Sequence, residues 1–141
     1  MIEEWIEKGL LIQSMPDPQK AESSLRLAGA KIKTAGKEFE AGIYSSAFLS
    51  AYTAMFHSAR AILFRDGFKE RNHYALYLYL RERYIKKLGL AYVNELNNFR
   101  TIRHKVIYGD DELHTREVQE AEAESAIRVA TEFLGAIRKL L

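Results

Sequence analysis

Apolar residues along this chain recur at intervals of three and four, the spacing that gathers side chains on one face of an α-helix. The first such run, Ile2, Trp5, Ile6, Leu10 and Ile12, predicts a leading amphipathic helix over residues 1–15. Pro16 and Pro18, the only prolines, interrupt the pattern. Asp17-Pro18 suits a new start, with Asp17 as N-cap and Pro18 at the first helical position, where no amide hydrogen is needed. This second helix is predicted to run to about Glu40, with Ala21, Leu25, Ala28 and Ile32 inward, and to end at Gly42.

A third helix is predicted from Tyr44 to about Asp66. Ala47, Ala51, Ala54, Ser58 and Ala61 recur along it at spacings of 4, 3, 4 and 3. Such a strip of small side chains lets another helix come close, while Phe48, Met55 and Ile62 fill its flanks. Gly67 closes this helix, and Phe68 to Asn72 reads as a basic loop. A shorter, tyrosine-rich helix follows from His73 to about Lys87. As a bundle flank it buries Tyr74, Tyr77 and Leu78 and leaves Arg81, Arg83 and Lys87 in solvent; as an RNA-stacking face it would expose its rings. A fifth helix is predicted from Ala91 to Tyr108, then a polar turn over Gly109 to His114. Thr115 reads as the N-cap of a last helix that turns Ala126, Ile127, Ala130, Phe133, Leu134, Ile137 and Leu141 inward. No strand pattern stands out. The expectation is an all-α, up-and-down helical bundle of four longer helices plus one or two shorter ones.

A chain of 141 residues suits one domain, here residues 16–141 behind the leading helix. The absence of cysteine excludes disulfides, a thiolate nucleophile and cysteine-ligated zinc. No two histidines stand at i, i+4, and no carboxylate–histidine set predicts a metal site. There is no glycine-rich phosphate loop and no hydrolase nucleophile signature, so no cofactor is expected. No apolar run reaches membrane-spanning length, and the acidic start Met1-Ile-Glu-Glu does not resemble a signal peptide. A soluble, cytoplasmic protein with no membrane contact is the expectation.

The net charge of +2 conceals a division: residues 60–105 carry +7, residues 106–141 carry −4 and the first 59 carry −1. A basic centre fits contact with phosphate or RNA, and equally fits solvated helix faces balanced by acidic neighbours. The chemistry concentrates in Arg100-Thr-Ile-Arg-His-Lys-Val-Ile-Tyr108, where Arg100, His104 and Tyr108 fall at i, i+4 and i+8 with Arg103 beside them. Arginine offers a permanently charged fork for phosphate oxygens, and histidine titrates near neutral pH. In a purely structural arrangement, Arg103 would instead pair with Glu95, Glu122 or Glu124. His57, next to the small-residue strip, and His73, beside Asn72, are further candidates for a cleft; His114 reads as loop.

Three segments resemble the HEPN domain family, over roughly residues 17–141. Gly42 to Leu63 is similar to its small-residue helix, with the core Ala51-Tyr-Thr-Ala-Met-Phe-His57. Asp66-Gly67 followed by Asn72-His73 resembles its glycine turn and downstream histidine. Arg100-x-x-Arg103-His104-x-x-x-Tyr108-Gly109 resembles its polar motif. The resemblance implies a homodimer whose polar motif lines a cleft between subunits. It implies, in many members, a metal-independent RNase toxin paired with a minimal (MNT-type) nucleotidyltransferase antitoxin, and in others a nucleotide-binding or adaptor module. In the nuclease branch about four to six residues separate an arginine from a histidine, often with a tyrosine two residues after the histidine, whereas Arg100 and His104 have only three residues between them. Here Val106 stands where that histidine falls, and the Arg-x-x-Arg pattern is similar to another branch.

Two functional readings follow. In the first, the chain binds RNA or a nucleotide through Arg100, Arg103, Tyr108, His57 and His73, with His104, Arg100 and Arg103 as the candidate catalytic set of a ribonuclease. RNA cleavage without metal needs a base for the 2′-OH, an acid for the leaving oxygen and cations on the phosphate, and these residue types supply them. In the second, the chain is a non-catalytic subunit that docks an MNT-type nucleotidyltransferase and is nucleotidylated on Tyr108.

Overall fold

The computed structural model describes residues 1–110 and 114–141. The elements run in the order α1 (Ile2–Glu7), β1 (Leu11–Gln13), α2 (Pro18–Glu40), α3 (Tyr44–Asp66), β2 (Phe68–Glu70), α4 (His73–Leu88), α5 (Leu90–Tyr108) and α6 (Glu120–Leu140). Four of these helices, α2, α3, α5 and α6, have 19 to 23 residues, and α4 and α1 are the shorter pair. The all-α bundle read from the periodicity is therefore the observed architecture. Asp17 caps α2 by accepting from the Lys20 amide at 3.0 Å, with Pro18 in the first turn.

The centre of the bundle is α3. Ala47, Ala51, Ala54, Ser58 and Ala61 are all fully buried. With side chains this small, α2 packs along α3 for much of its length, and α6 packs against α3 as well. The one hydroxyl in the strip, on Ser58, donates to the Ala54 carbonyl at 2.8 Å, so it leaves no unpaired donor inside. From the far side Phe48 meets Phe99 of α5, ring centres 5.2 Å apart. At the end of α3, Asp66 accepts from the Tyr79 and Tyr84 hydroxyls at 2.8 and 2.5 Å, while Arg65 donates to the Leu140 carbonyl at 2.6 Å. That knot ties the ends of α3 and α6 to α4.

Four local expectations are corrected. The leading segment is helical only over Ile2–Glu7; Gly9, at φ +75°, turns the chain, and Leu11–Gln13 becomes a strand. Its partner is Phe68–Glu70, expected as loop, in antiparallel register with Leu11 opposite Glu70 and Gln13 opposite Phe68. Leu11, Phe68 and Glu70 point inward and Lys69 outward, a period-two pattern too short to stand out in the sequence. The last helix begins at Glu120, not after Thr115. Val118 is buried, its amide donates to Ser45 Oγ at 3.3 Å, and Arg116 reaches forward to Glu122, so this stretch lies extended on the bundle. Of the predicted polar turn, residues 111–113 lie outside the described residues; His114 donates its amide to Asp110 Oδ1 at 2.8 Å. In α4, Tyr77, Tyr79 and Tyr84 are buried, whereas Tyr74, expected inside, is 45% exposed.

Gly67 is where the leader crosses the core. It ends α3 at φ +90°, and a Cβ there would lie 2.8 Å from the Ser14 carbonyl oxygen and 3.1 Å from Pro16. The Ser14 amide donates to the Gly67 carbonyl at 2.8 Å, so the two backbones cannot simply separate. Gly67→Ala is therefore expected to cost about 2 kcal/mol or more and to lower the melting temperature by roughly 5 °C or more. An unchanged melt by circular dichroism would contradict this account of the crossing.

Candidate functional site

A second stripe runs along α3, away from the small residues. Tyr52, Phe56, Arg60 and Phe64 stand four apart, so successive side chains lie on one drifting line. Tyr52 is buried and the other three are half-buried. The Arg60 guanidinium sits over both neighbouring rings, 5.6 Å from the centre of Phe56 and 5.2 Å from that of Phe64. Its Nε lies 2.7 Å from Oε1 of Glu70, which β2 turns inward. Burial pushes the Glu70 carboxyl above the usual range, and the opposing pull of its backbone hydrogen bond and of Arg60 offsets only part of this.

His73 opens α4, directly behind the N-cap Asn72, whose side chain accepts from the Ala75 amide at 2.8 Å. The His73 ring stacks on Phe56 at 4.3 Å, and its Nδ1 is 2.8 Å from the Tyr52 hydroxyl. A phenol donating to Nδ1 leaves the ring proton on Nε2; the other tautomer reverses both roles. From α5, the Arg103 guanidinium stands 6.0 Å from the Tyr52 ring centre and that of Arg100 stands 5.0 Å from the centre of Tyr74. Arg100 Nε also donates to Asn97 at 3.0 Å. Among the described residues neither Arg100 nor Arg103 forms an ion pair; of the partners expected for Arg103, Glu95 and Glu124 form none with it and Glu122 pairs with Arg116.

These charges act on the two neutral groups between them. Burial, and then the positive fields of Arg103, Arg100, Arg60 and His57, push His73 down to about 4. Burial holds the Tyr52 phenol well above its usual range, although Arg103 and Arg100 pull the other way. At neutral pH the centre of the cluster is an uncharged phenol–imidazole pair ringed by cations. An anion seated on the arginines would offset the repulsive part of this shift, which adds to the larger effect of burial. The arrangement presents two arginines without ion-pair partners among the described residues beside a neutral imidazole. Among the described residues no group of three or more His, Cys, Asp or Glu is placed to hold a metal ion, and no helix is long and apolar enough to cross a membrane.

Of the residues singled out from the sequence, Arg100, Arg103 and His73 come together. His57 lies at the margin: its ring meets Phe56 edge-on at 5.6 Å, its Nδ1 is buried without a hydrogen-bond partner, and burial, Arg60 and Lys31 lower its pKa. His104 and Tyr108 are exposed, their rings 4.8 Å apart, on the outward side of α5. Arg103 and His104 are adjacent in sequence, so their side chains leave α5 about 100° apart, which separates half-buried Arg103 from exposed His104. His114 is exposed. The sequence reading passed over Tyr52 as a site residue, together with Arg60 and Glu70. The four-residue spacing of Tyr52, Phe56, Arg60 and Phe64 was the available signal; nothing in the sequence places Glu70 beside Arg60.

Comparison with known proteins adds the following. The HEPN domain family model matches residues 21–140. A protein of Methanocaldococcus jannaschii described as a putative toxin is 29% identical over 133 residues, covering 87% of this chain and 90% of its own length. A UPF0332 protein of Archaeoglobus fulgidus is 37% identical over 70 residues, half of this chain and 55% of that protein.

Because His73 sits at about 4 when folded and near 6.5 when free, the unfolded chain binds more protons in that interval. Folding stability is therefore expected to rise with pH through this window and to be lost as pH falls toward 4. A nuclear magnetic resonance titration of the His73 ring checks the cause: Arg103→Ala is expected to raise its pKa. A wild-type midpoint at the ordinary histidine value would contradict the electrostatic account.

Proposed function

Starting from the fact that this chain belongs to the HEPN domain family, we propose that it is a toxin-type member that binds the phosphate of RNA or of a nucleotide at Arg100, Arg103 and His73. The observation that carries this reading is the state of the two arginines. Both rest on aromatic rings, with no carboxylate partner among the described residues. Cations held near one another without anions are electrostatically incomplete, and a bound phosphate completes them. The +7 charge of residues 60–105 supports the same reading, as does similarity to a protein described as a putative toxin. In this proposal a second copy of the chain closes the cleft, and cleavage, where it occurs, takes its proton transfer from His73 or from an exposed His104.

One observation favours the second reading. Tyr108 is 64% exposed at the end of α5 beside His104. A phenol so placed is available to a nucleotidyltransferase partner as an acceptor of a nucleotidyl group.

Fluorescence anisotropy with a labelled 2′-O-methyl RNA strand, which has no 2′-OH to attack, tests the binding proposal. Arg103→Ala is expected to weaken binding about tenfold or more and to reduce the salt slope by roughly 0.7. His104→Ala is expected to leave binding unchanged. Wild-type protein that binds no strand at low salt, or equal affinity in Arg103→Ala, would sink the proposal. Incubating unmodified RNA in EDTA with His73→Gln and His104→Ala then locates any cleavage.

A further inference from the structure

Arg60 is a third cation in the same electropositive region, and its surroundings are unusual for a residue with only a structural role. Its Nε is buried against Glu70, while 26% of its side chain remains exposed. Its terminal amino groups make no hydrogen bond to the described residues. The Phe56 and Phe64 rings flank the guanidinium and restrict its plane. Glu70 is only 7% exposed, and its second oxygen has no hydrogen-bond partner. A buried ion pair of this kind adds little stability over apolar residues of the same volume. What the pair does supply is placement: Nε faces Glu70 as an ion pair without hydrogen-bond geometry, and the two terminal amino groups are the part left to meet a ligand.

We propose that the binding site extends along α3 to Arg60, which takes a second phosphate, so that the ligand is an oligonucleotide strand and not a lone mononucleotide. This rests on the phosphate-binding reading of Arg100 and Arg103. Tyr52, under Arg103, and Arg60 are eight residues apart on one helix, or about 12 Å along its axis. Arg103 rests on Tyr52 at one end of this stretch and Arg60 on Phe56 and Phe64 at the other, a placement that suits successive phosphates of one strand. Phe56 lies between the two positions, stacked on His73 on one side and under Arg60 on the other. The floor between the two cationic positions is thus aromatic, the combination that suits single-stranded nucleic acid. The β1–β2 pairing gains a role here, since it is what turns Glu70 inward toward Arg60.

The test compares AMP with a 2′-O-methyl strand of about eight nucleotides. Removing Arg60 alone would strand a buried carboxylate, so the variant is Arg60→Gln combined with Glu70→Gln, its fold checked by thermal melting. The paired variant is expected to bind the strand about tenfold more weakly and AMP as the wild type does, while Arg103→Ala weakens both. Should the paired variant fold and keep wild-type affinity for the strand, the extension is wrong and the phosphate reading stands. An equal loss on AMP and strand also overturns it, because Arg60 would then share one phosphate with Arg103. Wild-type protein that binds neither ligand removes the underlying reading as well. In the wild type, the Arg60 Nε–H resonance is expected to shift with the strand and not with AMP, which keeps the test decisive if the paired variant fails to fold.

Discussion

Along one side of α3, Ala47, Ala51, Ala54, Ser58 and Ala61 contribute only methyl and hydroxymethyl groups to the interior. The closeness of the bundle depends on this. Dispersion falls steeply with separation, so packing that brings helix backbones together gains contacts that larger side chains would prevent. Larger residues at any of these positions would push α2 or α6 outward and shift the far face of α3 with them. That far face carries Tyr52, Phe56 and Arg60. The site therefore inherits its geometry from a strip of small residues that it never touches.

The cost of the arrangement is electrostatic. Arg100, Arg103 and Arg60 all bear on His73, and His57 adds to them. A protein that needed only stability would intersperse carboxylates, as it does at Arg116–Glu122 on the surface. Glu70, the carboxylate beside Arg60, is committed to that arginine. The repulsion is relieved by keeping His73 neutral and by resting the arginines on aromatic faces, where a cation is attracted without being neutralised. The cluster's uncompensated positive charge distinguishes this region from the Arg65–Asp66–Tyr79–Tyr84 knot, whose groups satisfy one another.

The helices were legible because a period near 3.6 persists over many residues and because Asp17, Gly42, Gly67 and Asn72 mark their ends by local chemistry alone. The β1–β2 pair was not, since three residues a side are too few to reveal alternation and Glu70 is a charged residue on the buried face. Thr115 has the chemistry of a cap, but Val118 and Arg116 find tertiary partners that hold the chain extended past it. The site was half legible. Arg100 and Arg103 stand out from sequence spacing, which also groups them with His104 because all three share α5. Which histidine faces them is settled by how α3, α4 and α5 pack. That packing brings His73, which follows Tyr52 by 21 residues in the chain, to the Tyr52 hydroxyl and leaves His104 exposed.

The central claim is that cations around a neutral His73 await a phosphate, and proton linkage tests it most directly. Titration calorimetry of a 2′-O-methyl RNA strand, at about pH 5 and in buffers of differing ionisation enthalpy, reads the protons taken up on binding. The account predicts net uptake by the wild-type protein that is lost in His73→Gln, because a phosphate on Arg100 and Arg103 restores the affinity of His73 for a proton. Binding heat that is independent of the buffer, with the strand bound, would contradict it.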